Sequence, residues 1–211
     1  MVIRPFMVPK KLTRSEGSGA VFLCLVRKEQ FLVTGPPGVG KSTLCEEFNR
    51  SGIEAIDSDS IKGLCRFYHL DGKLMTDSKG KPREPSKEEI DTVSFLPHFK
   101  PDILQQLLIL NPEFRFFADA PNVDQVAHLF SRVFYLRLDP EHVEERLKSP
   151  ERQRTGTAFT GGKAQRETLI NRVLPDRDRK ALESGWIILD ARLKPEELKR
   201  IILEEVRRGR D

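Results

Sequence analysis

The chain has 211 residues, a formal net charge of +4, 38% hydrophobic and 32% charged side chains, and three cysteines. That length suits one domain, or one domain with an appendage, and buries about 70% of the unfolded surface, so disulfide staples are unnecessary. Cys24, Cys45 and Cys65 are odd in number and fit neither a paired framework nor a C-x-x-C metal site, and no apolar stretch is long enough to cross a bilayer, which excludes a disulfide scaffold and a membrane-spanning class.

Residues 1–30 carry six Lys/Arg against two Asp/Glu, and the charges of the remainder balance. The basic excess is a short arm, Arg4, Lys10, Lys11 and Arg14, read as a solvated tail in preference to a nucleic-acid contact. The first fourteen residues lack the apolar core of a signal peptide, and reduced thiols are expected, so the expectation is a cytoplasmic protein. Residues 20–26, AVFLCLV, form an apolar run that either adds a strand at a sheet edge or covers a sheet face. The division is an N-terminal extension, 1–30, and a main domain, 31–211.

The β-rich run Phe31–Thr34 leads directly into Gly35, Pro36, Pro37, Gly38, Val39, Gly40, Lys41, Ser42 and Thr43, which fits G-x-x-x-x-G-K-[ST]. Glycines at these places let backbone N–H groups converge on a polyphosphate, and the helix expected at Lys41–Arg50 aims its positive end at the same anion. Lys41 supplies a mobile charge for the β- and γ-phosphates, and the Ser42 hydroxyl a ligand for Mg²⁺.

Further strands are expected at 54–56, 115–118, 133–137 and 186–189, alternating with helical segments as in a parallel sheet covered on both faces. Asp57 and Asp59 follow the second strand, where ligands of open α/β sheets sit. They suit water-mediated Mg²⁺ binding and acceptance of a proton from an attacking hydroxyl; the competing reading is a helix cap by Asp59 or Ser60. Residues 69–85 are polar and rich in Gly and Pro, a surface excursion with a hairpin turn at Asp71-Gly72. Ser86 and Glu89 match a capping box, so a helix is expected to start there and end before Pro97, with another segment at Pro101–Leu110.

Asp119, at the end of the third strand, is either a Walker B carboxylate or a turn residue before Ala-Pro-Asn. His98 and His128 have no partners at metal spacing and read as packing or surface residues, and Trp186 reads as core. Asp139-Pro140 supplies an N-cap and first-turn proline, and residues 148–163 combine four cationic side chains with three glycines, as a lid closing over ATP phosphates requires. The last helix is expected at Pro195–Arg208.

GPPGVGKST, IDSDSI, FYLRLDPEHVEERL, the basic glycine-containing loop and INRVLP together resemble the adenylate-kinase-like group of P-loop kinases, especially shikimate kinases and dephospho-coenzyme A kinases, over about residues 31–207. The resemblance implies a P-loop NTPase fold, three-layer α/β/α with a five-stranded parallel sheet and a mobile lid. It also implies that Asp57 and Asp59 handle Mg²⁺ and the acceptor, that Arg146 lies near the adenine, and that Arg152 or Arg154 meets the phosphates. Arg172 corresponds to the arginine that holds the acceptor's anionic group in shikimate kinases, and Asp119-Ala120-Pro121 resembles the D-x-P of dephospho-coenzyme A kinases. The glycine-rich element of the first family and the Leu-Leu-Phe-Glu continuation of the second are both absent.

The expectation is therefore a kinase with ATP and Mg²⁺ as cofactors and a small-molecule or nucleotide acceptor, in which Lys41, Arg152 and Arg154 stabilise the migrating phosphoryl group and Asp57, Asp59, Asp119 and Arg172 meet the acceptor side. Two other classes stand beside it: a nucleic-acid-end kinase or RNA-binding protein anchored by the basic arm, and a nucleotide-gated regulatory ATPase.

Overall fold

Residues 29–61, 63–86, 88–89, 95–118, 122–149 and 163–209 are described by a computed structural model. Asp119, Arg152, Arg154, the apolar run at 20–26 and nearly all of the expected lid lie outside them. In chain order the elements are β1 (Phe31–Thr34), α1 (Lys41–Arg50), β2 (Ala55–Asp57), a 3₁₀ turn (Ser58–Ser60), β3 (Cys65–His69), β4 (Phe95–Phe99), α2 (Pro101–Leu110), β5 (Phe116–Ala118) and α3 (Val123–Val126). Then come β6 (Arg132–Arg137), α4 (Pro140–Lys148), α5 (Lys163–Thr168), a π-helical segment (Leu169–Val173), α6 (Leu174–Glu183), β7 (Ile187–Asp190) and α7 (Pro195–Arg208).

Five strands form one sheet in the order β2-β5-β1-β6-β7, every neighbouring pair parallel. The expected five-stranded parallel sheet is present, with boundaries within a residue of those read from the pattern. Period-two alternation makes the layers. Phe31 and Val33 join Leu44 and Phe48 of α1, Val143 and Leu147 of α4, and Leu198 and Ile202 of α7 on one face; Leu32 joins Phe117, Val133, and Leu104 and Leu108 of α2 on the other. Buried Glu47 on α1 bonds Lys199 of α7, which fastens the two helices together. The chain leaves β1 toward the β2 edge of the sheet and β6 toward the β7 edge, so the crevice at their carboxyl ends is a topological switch point.

Between β2 and β5 the chain departs from the alternation. β3 and β4 form an antiparallel pair of their own, with Arg66 opposite His98 and Phe67 opposite Pro97. The pattern anticipated the turn at Asp71-Gly72, where Gly72 takes φ +86° and Asp71 Oδ1 accepts from Lys73 N at 3.0 Å. It did not anticipate β4, because Pro97 argued for a boundary there. A two-stranded unit has an open edge that tolerates the missing N–H. Beyond it, Asn122 Oδ1 accepts from Phe99 N at 2.7 Å and Asn122 Nδ2 donates to Phe99 O at 3.1 Å, replacing a ladder partner.

The capping box forms as read: Ser86 N donates to Glu89 Oε2 at 2.8 Å and Glu89 N to Ser86 Oγ at 3.2 Å, while Arg83 pairs with the same carboxylate. α4 starts at Pro140 as expected, but the Asp139 side chain makes no cap bond; it lies 3.9 Å from both His142 and Arg192.

Candidate functional site

β1 is buried along its whole length and delivers the phosphate-loop segment to the carboxyl edge of the sheet. Gly35 has φ +158° and packs on β6 so closely that a Cβ there would stand 2.5 Å from the Leu136 carbonyl oxygen. Gly38 and Gly40 take φ +92° and +97°, left-handed values that other residues rarely adopt, and Gly40 O accepts the first helical bond from Leu44 N at 2.9 Å. Buried Val39 plugs the underside of the loop into the core. This succession of glycines between a strand and a helix N-terminus is the backbone form that gathers amides into an anion-binding concavity.

Three cations converge on the loop from different helices. Lys41 Nζ donates to Gly35 O and Pro36 O, both at 2.9 Å. Arg146 of α4 donates to Gly38 O at 3.4 Å and to Ala191 O at 3.1 Å, so it spans the loop and the turn after β7. Arg177 of α6 donates to Gly35 O at 3.1 Å.

Arg177 was not singled out in the sequence, and its neighbour explains its position. Asp178 accepts from Tyr135 Oη at 2.8 Å and from Arg137 Nε at 3.1 Å, which seats α6 on β6. Burial, helped by the Asp178 carboxylate, pushes the Tyr135 phenol well above its usual value, so it remains a donor. Arg172, the residue selected by resemblance, is exposed on the π-helical segment.

Asp57 ends β2 in register with Ala118 of β5. Its Oδ1 accepts from Asp59 N at 3.1 Å, so the cap of the 3₁₀ turn is Asp57, not Asp59 or Ser60 as the capping alternative had it; Ser60 Oγ instead donates to Asp57 O at 2.6 Å. Asp59 is exposed. The Asp57 charge reaches back to α1, where burial first and this carboxylate second push the Cys45 thiol up to about 12. Thr34 Oγ1, at the end of β1, and Ser58 Oγ, just after β2, are buried and make no hydrogen bond among the described residues.

Ser42 and Thr43 are exposed on the first turn of α1. Among the described residues no three His, Cys, Asp or Glu side chains cluster as a metal cage. Mg²⁺ held by phosphate oxygens and water needs only a hydroxyl and one or two carboxylates, and Ser42 at the start of α1 and Asp57 at the end of β2 are side chains of those two kinds. Beyond Ala191, the carboxyl ends of β6 and β7 frame a recess of about 290 Å³ lined by Arg137, Asp139, Asp190 and Arg192.

The sheet and the glycine-turned loop between β1 and α1 define a P-loop NTPase fold of the three-layer α/β/α kind. No protein-family model and no curated protein matches the chain. Solved structures that match include a deoxyadenosine kinase from M. mycoides with bound dATP, at 13% sequence identity over 84% of this chain and 99% of that one, with a TM-score of 0.46. No helix among the described residues is long and apolar enough to cross a membrane.

Proposed function

We propose that this protein is an ATP- and Mg²⁺-dependent phosphotransferase that moves the γ-phosphoryl group to a hydroxyl or phosphate oxygen of a small molecule or nucleotide. The observation that carries this reading is the convergence of Lys41, Arg146 and Arg177 on the carbonyls of one glycine-turned loop at the sheet's switch point. Phosphoryl transfer asks for positioning and charge neutralisation more than for covalent chemistry.

In this reading the loop amides and Lys41 hold the β- and γ-phosphates, and Arg146 lies at the nucleobase end because it bridges Gly38 and Ala191. An acceptor oxygen attacks the γ-phosphorus, the bond to the β,γ-bridging oxygen breaks, ADP leaves, and a hydroxyl proton passes to the Asp57 or Asp59 carboxylate. Bound Mg²⁺ neutralises phosphate charge, and Ser42 and Asp57 are the residues that would hold it. Arg152 and Arg154 complete the cationic surround when the lid of about residues 148–163 closes. Asp119 and Arg172 remain assigned to the acceptor side.

The test pairs equilibrium binding of a fluorescent ATP analogue with an ADP-release screen over metabolites, nucleosides and nucleotides. Lys41→Ala is expected to stay folded and to lose about 100-fold or more of acceptor-stimulated turnover. Undiminished turnover in that variant removes the proposal.

A further inference from the structure

The β3/β4 hairpin has two chemically different faces. Phe95 and Phe99 are buried on one, while the antiparallel register puts Arg66 directly opposite His98 on the other, with Tyr68 two residues along from Arg66. The Tyr68 and His98 rings lie 5.0 Å apart at 37°, a tilted pair on the polar face.

A chain of contacts brings that face to the phosphate loop. Asn122 holds both backbone groups of Phe99, the residue after His98. Two residues past Asn122, Asp124 pairs with Lys180 of α6 at 3.4 Å. Arg177, one turn earlier on α6, donates to Gly35 O. His98 is within electrostatic reach of Asp124, Arg177 and Lys180, and its burial, reinforced by the two cations, holds the imidazole below its usual value. The polar face carrying His98 is therefore within electrostatic reach of α6, whose Arg177 meets the loop.

Arg66 carries the decisive detail: its Nε is buried and has no hydrogen-bond partner among the described residues. A buried guanidinium N–H without an acceptor is costly, and a planar fork of donors matches an oxyanion. We propose that Arg66 anchors an oxyanion, carboxylate or phosphate, of the phosphoryl acceptor beside the Tyr68–His98 ring pair, so that the acceptor is a small anionic molecule and not its neutral counterpart. This inference rests on the phosphotransferase reading.

The experiment uses the full chain and matched acceptor pairs in the ADP-release assay: nucleoside 5′-monophosphates against nucleosides, and hydroxy acids against their methyl esters. The wild-type protein is expected to use the anionic member of at least one pair, and which pair responds separates phosphate from carboxylate. Arg66→Gln should raise the KM for that acceptor about 10- to 100-fold. Arg66→Lys, which keeps the charge but not the fork, should recover part of the loss, while affinity for the ATP analogue stays at the wild-type value in both variants. Preference for neutral members, no stimulation by any anionic compound, or an unaltered acceptor KM in Arg66→Gln overturns the proposal. Failure of the wild type to bind the ATP analogue instead strikes the phosphotransferase reading. Circular dichroism checks both variants, and if Arg66→Gln does not fold, the KM of Arg66→Lys alone decides.

Discussion

Lys41 and Arg177 donate to the same oxygen, the carbonyl of Gly35, at 2.9 and 3.1 Å. One is the flexible ammonium at the start of α1 and the other a planar guanidinium from α6, 142 residues beyond Gly35. Two like charges gathered at one carbonyl repel each other, and a polyphosphate offsets that repulsion. In the proposed reading, the loop and α6 are thus two parts of one anion site.

Nucleotide should therefore stabilise the fold. At an ATP concentration 100 times Kd the linkage contribution is about 2.7 kcal/mol, and at roughly 2–4 °C per kcal/mol for a chain of this size the melting temperature should rise by about 5–10 °C. In Arg177→Ala the rise at the same ATP concentration should shrink to less than half, read by thermal denaturation with and without nucleotide. An undiminished rise would detach α6 from the nucleotide site.

Gly35→Ala should damage both the fold and the site. The added methyl meets the Leu136 carbonyl oxygen at 2.5 Å, and backbone cannot step aside as a flexible side chain can. Overpacking of this kind costs about 1–3 kcal/mol. Denaturant titration should show a lower midpoint, and calorimetry should show weakened binding of the ATP analogue. Wild-type values for both would mean the loop is not held against β6 as described.

Asp178→Asn tests the seating of α6. The charge-assisted bonds from Tyr135 and Arg137 would weaken, at about 1.5–3 kcal/mol for a hydrogen bond to a charged group, discounted for the partly exposed Arg137 arm. ATP-analogue affinity should fall with stability, because Arg177 is the adjacent residue on the same helix. In the Tyr135→Phe, Asp178→Asn double mutant the two losses should fall short of additivity. Full additivity would show the two side chains to be uncoupled.

Glu89 gives a pH-dependent prediction. Hydrogen bonding from Arg83, then from the Ser86 amide, lowers its carboxyl from 4.5 to about 2. A carboxylate lowered in the folded state contributes stability that is present above the unfolded value and is lost as pH falls from about 4.5 to about 2. The melting-temperature gap between wild type and Glu89→Gln should thus be constant above about pH 5 and close on acidification through that window. A gap independent of pH would mean that the Arg83 pair contributes nothing electrostatic.

Much of the fold was legible because its determinants are close together in the chain. Gly35 to Thr43 form one loop and helix start, Ser86 and Glu89 form one cap, and Asp71-Gly72 form one turn; in each, the spacing carries the geometry. The five parallel strands showed as short apolar runs because both faces of the sheet are covered. β4 was hidden because Pro97 signals a break locally, and the pairing that overrides the signal comes from β3 and Asn122, each more than twenty residues away.

The same division runs through the site. Lys41, Ser42 and Asp57 could be placed from their neighbours in the chain, because strand, turn and helix starts are short-range events. Arg177 could not be placed, since which arginine of that long helical stretch meets the loop depends on its rotation about its own axis. Residues five apart in a regular α-helix point roughly 140° away from each other, and the π-helical segment at Leu169–Val173 alters the count further. The packing of Tyr135 and Arg137 against Asp178, together with the burial of Leu174 and Ala181, sets that rotation, just as the register of β3 on β4 brings Arg66 beside His98. Short-range geometry is written in residue spacing, whereas the juxtaposition of distant side chains is settled by packing free energy summed over the whole core.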